Sequence, residues 1–142
     1  MSKEISADIC VVGGGSGGLM VAAGASQMGA EVVLLEGGKM GGDCLNYGCV
    51  PSKSLLAAAH TAHMVRSADR FGITSKGTSI DFKRVHDHVH SVIGTIAPND
   101  SVHRFEALGV RVIEDFGKFI GPTRLQAGNT VISSKRGGIF TG

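Results

Sequence analysis

Tryptophan is missing from this 142-residue sequence, tyrosine occurs once, and cysteine and proline occur three times each. Three cysteines without an export signal are too few for a structural disulfide framework, which leaves reactive or merely buried thiols. No apolar run approaches the length of a membrane span. The first one, Ile9 to Val12, follows a lone Lys3 and is also too short for a signal segment. A block of one charge is lacking as well. The 14 basic and 12 acidic residues are scattered, giving a net charge of +2, so nothing tracks a phosphate backbone and nucleic acid is not an implied partner. A soluble, cytoplasmic protein is expected. With 42% hydrophobic residues, the length fits one globular domain with a real core.

Glycine is what the chain has in excess: 22 residues, clustered at 13–18, 37–42 and 137–142 between runs that read as ordered. Glycines at such junctions mark tight turns and close backbone approach to a ligand, with ligand-free loops as the alternative. Asp8 to Val12 is apolar and β-branched, as a buried parallel strand would be. Leu19 to Gly29 is alanine-rich and helical, with Gly29 as its stop. Glu31 to Glu36 reads as a second buried strand, so residues 8–36 make a βαβ unit. A helix is expected over 52–70, with Leu55, Leu56, Ala59 and Ala62 at helical spacing. A second helical region over 81–108 is interrupted near Pro98 and carries the stripe Val85, Val89, Val92, Ile93 and Ile96. Short strands at 110–113, 117–120 and 130–133 predict a β-meander, with a further strand candidate just before the end at Ile139 to Gly142. The fold class is α/β.

Gly13-Gly-Gly15-Ser-Gly-Gly18 satisfies the pattern G-x-G-x-x-G. In a chain with glycine at roughly one position in seven, such a match arises by chance about half the time, so its setting carries the inference. It stands between a strand and a helix, where first-turn N–H groups and the helix dipole hold a pyrophosphate. Glu36 follows at the end of the second strand, as a ribose-binding acid does. Gly13 makes the turn, Gly15 lets the backbone approach the pyrophosphate, and Gly18 lets the helix pack on the sheet; Ser16 and Gly17 complete the loop. The negative charge of Glu36 would repel a 2′-phosphate, so FAD or NAD is expected rather than NADP. A solvated strand end is the bland alternative for Glu36.

Cys44 and Cys49 lie five apart within Gly41-Gly-Asp-Cys-Leu-Asn-Tyr-Gly-Cys-Val-Pro-Ser-Lys53. On a regular helix their Cα atoms would be about 8.6 Å apart, beyond the roughly 7 Å a disulfide spans, so a continuous helix is excluded if they pair. Gly48 and Pro51 are the residues that supply a distortion. The pair would stand at a helix start, where the dipole favours a thiolate and lowers its pKa. Cys10, inside the first strand, reads as inert core. A dinucleotide half-site followed at once by a cysteine pair points to a two-electron relay, for which FAD is a suitable carrier.

Taken together, Gly13 to Gly18, Glu36 and the run Gly41 to Lys53 resemble the pyridine nucleotide-disulfide oxidoreductases with five-residue cysteine spacing. This family includes dihydrolipoamide dehydrogenase, mercuric reductase and glutathione reductase. The resemblance implies a Rossmann-like FAD-binding domain of which residues 1–142 form the N-terminal segment, the nicotinamide-binding and dimerisation domains lying beyond it. It implies bound FAD, NAD(P)H as co-substrate of a full-length homodimer, and a small-molecule disulfide, dihydrolipoyl group or mercuric ion as partner. By the same resemblance Cys44 is the interchange thiol, Cys49 the charge-transfer thiol against the flavin, and Lys53 stands near the reactive edge of the isoalloxazine. Gly42 and Asp43 flank the pyrophosphate, Gly117 approaches the adenine, and Thr141-Gly142 ends an Ala-Thr-Gly segment. Asp43 departs from the usual Thr and Phe140 from the usual Ala. Leu45, Asn46 and Ser52 resemble the dihydrolipoamide and mercuric reductase branches. The isolated segment is expected to lack NAD(P)H turnover.

His86, His88 and His90, with His60 and His63, fall at helical spacings. No cysteine or second matched pair completes a site with them, so they read as a solvated helix face and no metal is expected. The rival to a redox flavoenzyme is a non-catalytic adenine-dinucleotide-binding module with incidental cysteines.

Overall fold

The computed structural model describes residues 3–139, with side chains to residue 137. Phe140, Thr141 and Gly142, including two positions expected at the cofactor, lie outside the described residues. Strand β1 (Lys3–Val12) leads through the glycine turn into α1 (Ser16–Gln27) and then β2 (Val32–Leu35). The short α2 (Gly42–Asn46) and long α3 (Cys49–Arg66) follow. A 3₁₀ turn at Ala68–Phe71 precedes α4 (Phe82–Ile96), another at Ala97–Asp100 precedes α5 (Val102–Ala107), and four strands close the chain: β3 (Arg111–Ile113), β4 (Gly117–Gly121), β5 (Arg124–Ala127) and β6 (Thr130–Ile139).

All six strands form one sheet in the order β3-β2-β1-β6-β5-β4. β1 is parallel to β2 and β6, and β2 is parallel to β3, whereas β4-β5-β6 is an antiparallel meander. The βαβ unit stands as expected, but the meander is built from β4, β5 and β6, while the strand expected in it at 110–113 pairs parallel with β2 instead, because its register matches Val33–Leu35. β1 starts at Lys3 rather than Asp8 because its first residues pair with β6, from Lys3↔Thr130 onward. β6 in turn runs unbroken from Thr130 to Ile139, so the further strand expected near the end is its continuation. β5 was not foreseen, and its alternation of buried Leu125 and Ala127 with exposed Arg124 and Gln126 is that of a half-covered strand.

Both faces of β2 are covered, which makes all four of its residues buried. On one face Val32 and Leu34 join Val11 with Leu19 and Ala22 of α1 and Phe105 of α5. On the other, Val33 and Leu35 join Ala7, Cys10 and the meander residues Leu125, Ala127 and Ile132. Burial pushes the Cys10 thiol up to about 11, in keeping with an inert core position. Helices α3 and α4 pack on each other. The α4 stripe is covered around Val89, but Leu55 and Leu56 of α3 are 44% and 66% exposed, so the expected α3 stripe does not form a core. Asp81 caps α4 and Ser101 caps α5, each accepting a hydrogen bond from the N–H three residues on. Pro98 sits in the 3₁₀ turn that separates the two helices, the predicted interruption.

Candidate active site

The β1–α1 junction is a bare backbone turn. Gly13 has φ +111°, a conformation that favours glycine, and its N–H donates to the Leu35 carbonyl at 2.8 Å. A Cβ on Gly18 would collide with the Gly13 carbonyl oxygen and lie 3.2 Å from Val11 Cγ1, so the helix reaches the strand only with glycine there. No side chain caps α1. Its first-turn N–H groups, at Ser16, Gly17 and Gly18, are therefore available to an anion, with Ser16 and Gly17 exposed and Gly18 buried behind them.

Glu36 follows β2 directly, the position expected for it from the sequence. Its Oε2 accepts from the Gly14 N–H at 2.5 Å and its Oε1 from the Gly38 N–H at 2.6 Å. Each oxygen keeps a further acceptor site for a ribose hydroxyl. The carboxylate thus ties the glycine turn to the loop after β2, and the Gly41 N–H adds a second tie to the Gly14 carbonyl at 2.9 Å. Around them opens a cleft of about 380 Å³. Gly13, Gly15, Glu36, Gly42 and Asp43 line it, together with Asp115, Phe116 and Gly117. Gly117 lies against the strands; a Cβ there would come within 2.7 Å of Leu35 Cδ1. A concave, glycine-walled cleft at the C-terminal ends of parallel strands, with an uncapped helix N-terminus and a carboxylate at the end of β2, has the shape and chemistry to fit an adenine dinucleotide.

The cysteines occupy two different helices. Cys44 is in α2 and Cys49 opens α3, with Tyr47 and Gly48 breaking the path between them. The Gly48 N–H closes back on the Asp43 carbonyl at 2.6 Å, and a Cβ there would lie 3.1 Å from that oxygen and 3.5 Å from Cys44 Cα. Gly48 therefore makes the distortion. Pro51 does not, since it sits in the first turn of α3, where a missing N–H costs nothing. All three cysteines are free thiols here, with Cys44 half-buried and Cys49 exposed. The Cys44 thiol is held above its ordinary range, against the sequence expectation of a lowered value. Its hydrogen bond with Cys49 is the main cause, followed by desolvation and the charge of Cys49; the Cys49 N–H and Lys53 pull the other way. Lys53 and the Cys49 N–H favour the thiolate, but the neighbouring Cys49 side chain and desolvation outweigh them. Lys53 is exposed on α3 and close enough to Cys44 to act on it electrostatically.

Besides Val12, Leu35 and Gly37, four further cleft residues with charged or aromatic side chains were not expected from the sequence: Lys39, Tyr47, Asp115 and Phe116. Only fold contacts bring them together, although Tyr47 lies inside the cysteine motif and was legible there as the sole tyrosine. His86 and His90 are exposed neighbours with ring centroids 4.1 Å apart, and His90 Nδ1 is 3.0 Å from the His86 carbonyl. No group of three metal-ligating side chains exists among the described residues. No helix among them is long and apolar enough to cross a membrane.

A family model described as pyridine nucleotide-disulphide oxidoreductase matches residues 7–134. The chain belongs to that family. Among curated relatives, the dihydrolipoyl dehydrogenase of Bacillus subtilis (strain 168) is 34% identical over 130 residues, covering 92% of this chain and 27% of that protein. The chloroplastic dihydrolipoyl dehydrogenase 2 of Arabidopsis thaliana is 33% identical over 144 residues, covering 99% and 25%. The fold is also that of the HOCl-induced flavoprotein disulfide reductase RclA from Escherichia coli, solved as a Cu(II) complex. The TM-score is 0.76 at 23% identity, over 94% of this chain and 27% of that one. The chain spans about a quarter of the length of the curated relatives it matches.

Proposed function

We propose that this chain is the FAD-binding segment of an NAD(P)H-dependent disulfide oxidoreductase in which electrons pass from flavin to the Cys44–Cys49 pair. The observation that carries the reading is the adjoining placement of a glycine-walled dinucleotide cleft and a cysteine pair, joined through Asp43 and Tyr47. Gly15, Ser16, Gly17 and Gly42 would hold the pyrophosphate, Glu36 the ribose, and Gly117 the adenine side. FAD, when bound, supplies two-electron transfer between a nicotinamide and a disulfide. The chain's own residues hold the thiols. Reduction of a Cys44–Cys49 disulfide by two electrons and two protons leaves two thiols, and the Cys44 environment keeps a proton on that sulfur. Lys53 adds positive charge beside the pair.

A second cavity, of about 330 Å³, lies between α3 and α4, lined by Tyr47, Pro51, Leu55, Phe82, His86 and Val89 among others. It is largely apolar and has no Lys or Arg in its wall. This supports a dihydrolipoyl-type substrate with an uncharged alkyl arm over an anionic peptide disulfide. Action in the cytoplasm and homodimerisation of the full-length enzyme belong to the same reading.

The test is the visible absorbance spectrum of the purified chain with FAD, recorded oxidised and after two-electron reduction. A bound-flavin spectrum with a long-wavelength charge-transfer band that disappears in Cys49→Ser is the expected outcome. Flavin that behaves as free throughout, also in a full-length protein carrying this segment, would overturn the proposal.

A further inference from the structure

We infer that Lys39, steered by the ring of Tyr47, is the counter-charge for the pyrophosphate of the cofactor and offsets Asp43 at the cleft. This inference rests on the FAD reading above and goes beyond it in assigning residues.

The wall of the cleft is poorly charged for its ligand. Three carboxylates, Glu36, Asp43 and Asp115, face a group that brings two more negative charges, and among the described lining residues Lys39 is the one cation. Two of the carboxylates are committed. Glu36 accepts from the N–H groups of Gly14 and Gly38, and Asp115 Oδ1 accepts from the Phe116 N–H at 2.7 Å. The Asp43 carboxylate makes no hydrogen bond or ion pair among the described residues. It also lies near the start of α1: a Cβ on Gly15 would be 3.9 Å from Gly42 Cα, so the α1 N-terminus faces the backbone beside Asp43. The α1 dipole contributes about half a positive charge. That is far less than the two pyrophosphate charges and Asp43 together.

Lys39 is placed to make up the difference. Its Nζ stands 5.4 Å from the centroid of the Tyr47 ring, a cation–π separation, while its own backbone lies in the loop that Gly41 ties to the glycine turn. Tyr47, directly after α2, borders the same cleft. The ring therefore confines a long side chain at the cleft mouth, which lowers the entropy lost when the ammonium meets a phosphate.

FAD binding to the full chain, followed by quenching of flavin fluorescence, reads this directly. Lys39→Met should weaken FAD about tenfold, as loss of one charge-assisted contact does. Lys39→Arg should restore most of the affinity. Wild-type affinity should fall with added salt more steeply than that of the Met variant. In an Asp43→Asn background the cost of Lys39→Met should shrink, the coupling expected when one charge offsets the other. Lys39 is exposed, so circular dichroism should show every variant folded. FAD binding by Lys39→Met equal to wild type, or an undiminished cost in Asp43→Asn, would overturn the assignment while leaving the cofactor reading intact. Absence of FAD uptake by the wild-type chain and by a full-length protein carrying it would overturn both.

Discussion

Cys44 keeps its proton because Cys49 is beside it, and that dependence can be measured. In the reduced protein, alkylation of Cys44 should show a pH midpoint above 9.0, the ordinary thiol value. Cys49→Ala removes the largest cause of the shift and leaves Lys53 and the backbone donor, so the midpoint should fall. Mass spectrometry of iodoacetamide adducts across pH checks it; an unchanged midpoint would mean that burial alone sets the value. At Gly18 the argument is steric. Gly18→Ala puts a methyl into the Gly13 carbonyl and should cost about 1–3 kcal/mol by denaturant unfolding, with FAD affinity lost alongside. Such residues were legible because their meaning is local: a turn glycine and a cysteine pair are defined by spacing along the chain. Lys39, Asp115 and Phe116 were not, because the loop after β2 and the β3–β4 turn meet only in three dimensions. The raised Cys44 thiol was also beyond sequence, since the sign depends on how close two sulfurs come.

Among elements, β2 carries the most weight per residue. Leu34 is fully buried between β1, α1 and α5, and Leu34→Ala should lose about 2–5 kcal/mol in chemical denaturation. A second element-level device joins the start of β2 to the outer strands. Asp8 accepts from the Glu31 N–H at 2.9 Å and from Lys135 Nζ at 2.6 Å, linking β1, β2 and β6. Lys135, first by its hydrogen bond, then the Glu31 N–H, hold the Asp8 carboxyl below its ordinary 3.8. A lowered carboxyl pKa stabilises the fold above the unfolded value and loses that contribution as pH falls through the folded one. The Tm gap between wild type and Asp8→Ala should therefore be steady near neutrality and close as the pH drops below 3.8. Helices and parallel strands were readable from apolar runs and stops. β5 was hidden because four residues with two apolar positions give too little pattern; the α2–α3 break was legible at Gly48, but Pro51 was named with it because only the contact of Gly48 with Asp43 tells the two apart.

At the scale of the whole molecule, the helical layer is open. Leu56 of α3, Phe71 and Ile73 beyond it, and Phe82 of α4 are each more than 60% exposed, while the sheet core is closed on both faces. The isolated chain should therefore associate as concentration rises, which light scattering of a dilution series would show. The meander adds a condition of another kind. β1 is paired along its length by β6, with Lys3 opposite Thr130, so during synthesis β1 waits for a strand made much later. Until then its edge is an open row of backbone donors and acceptors, and closing it means bridging more than a hundred residues, which is slow. Synthesis halted before Thr130 should leave a nascent chain that sticks to its neighbours or to chaperones, however well α1 and β2 have formed.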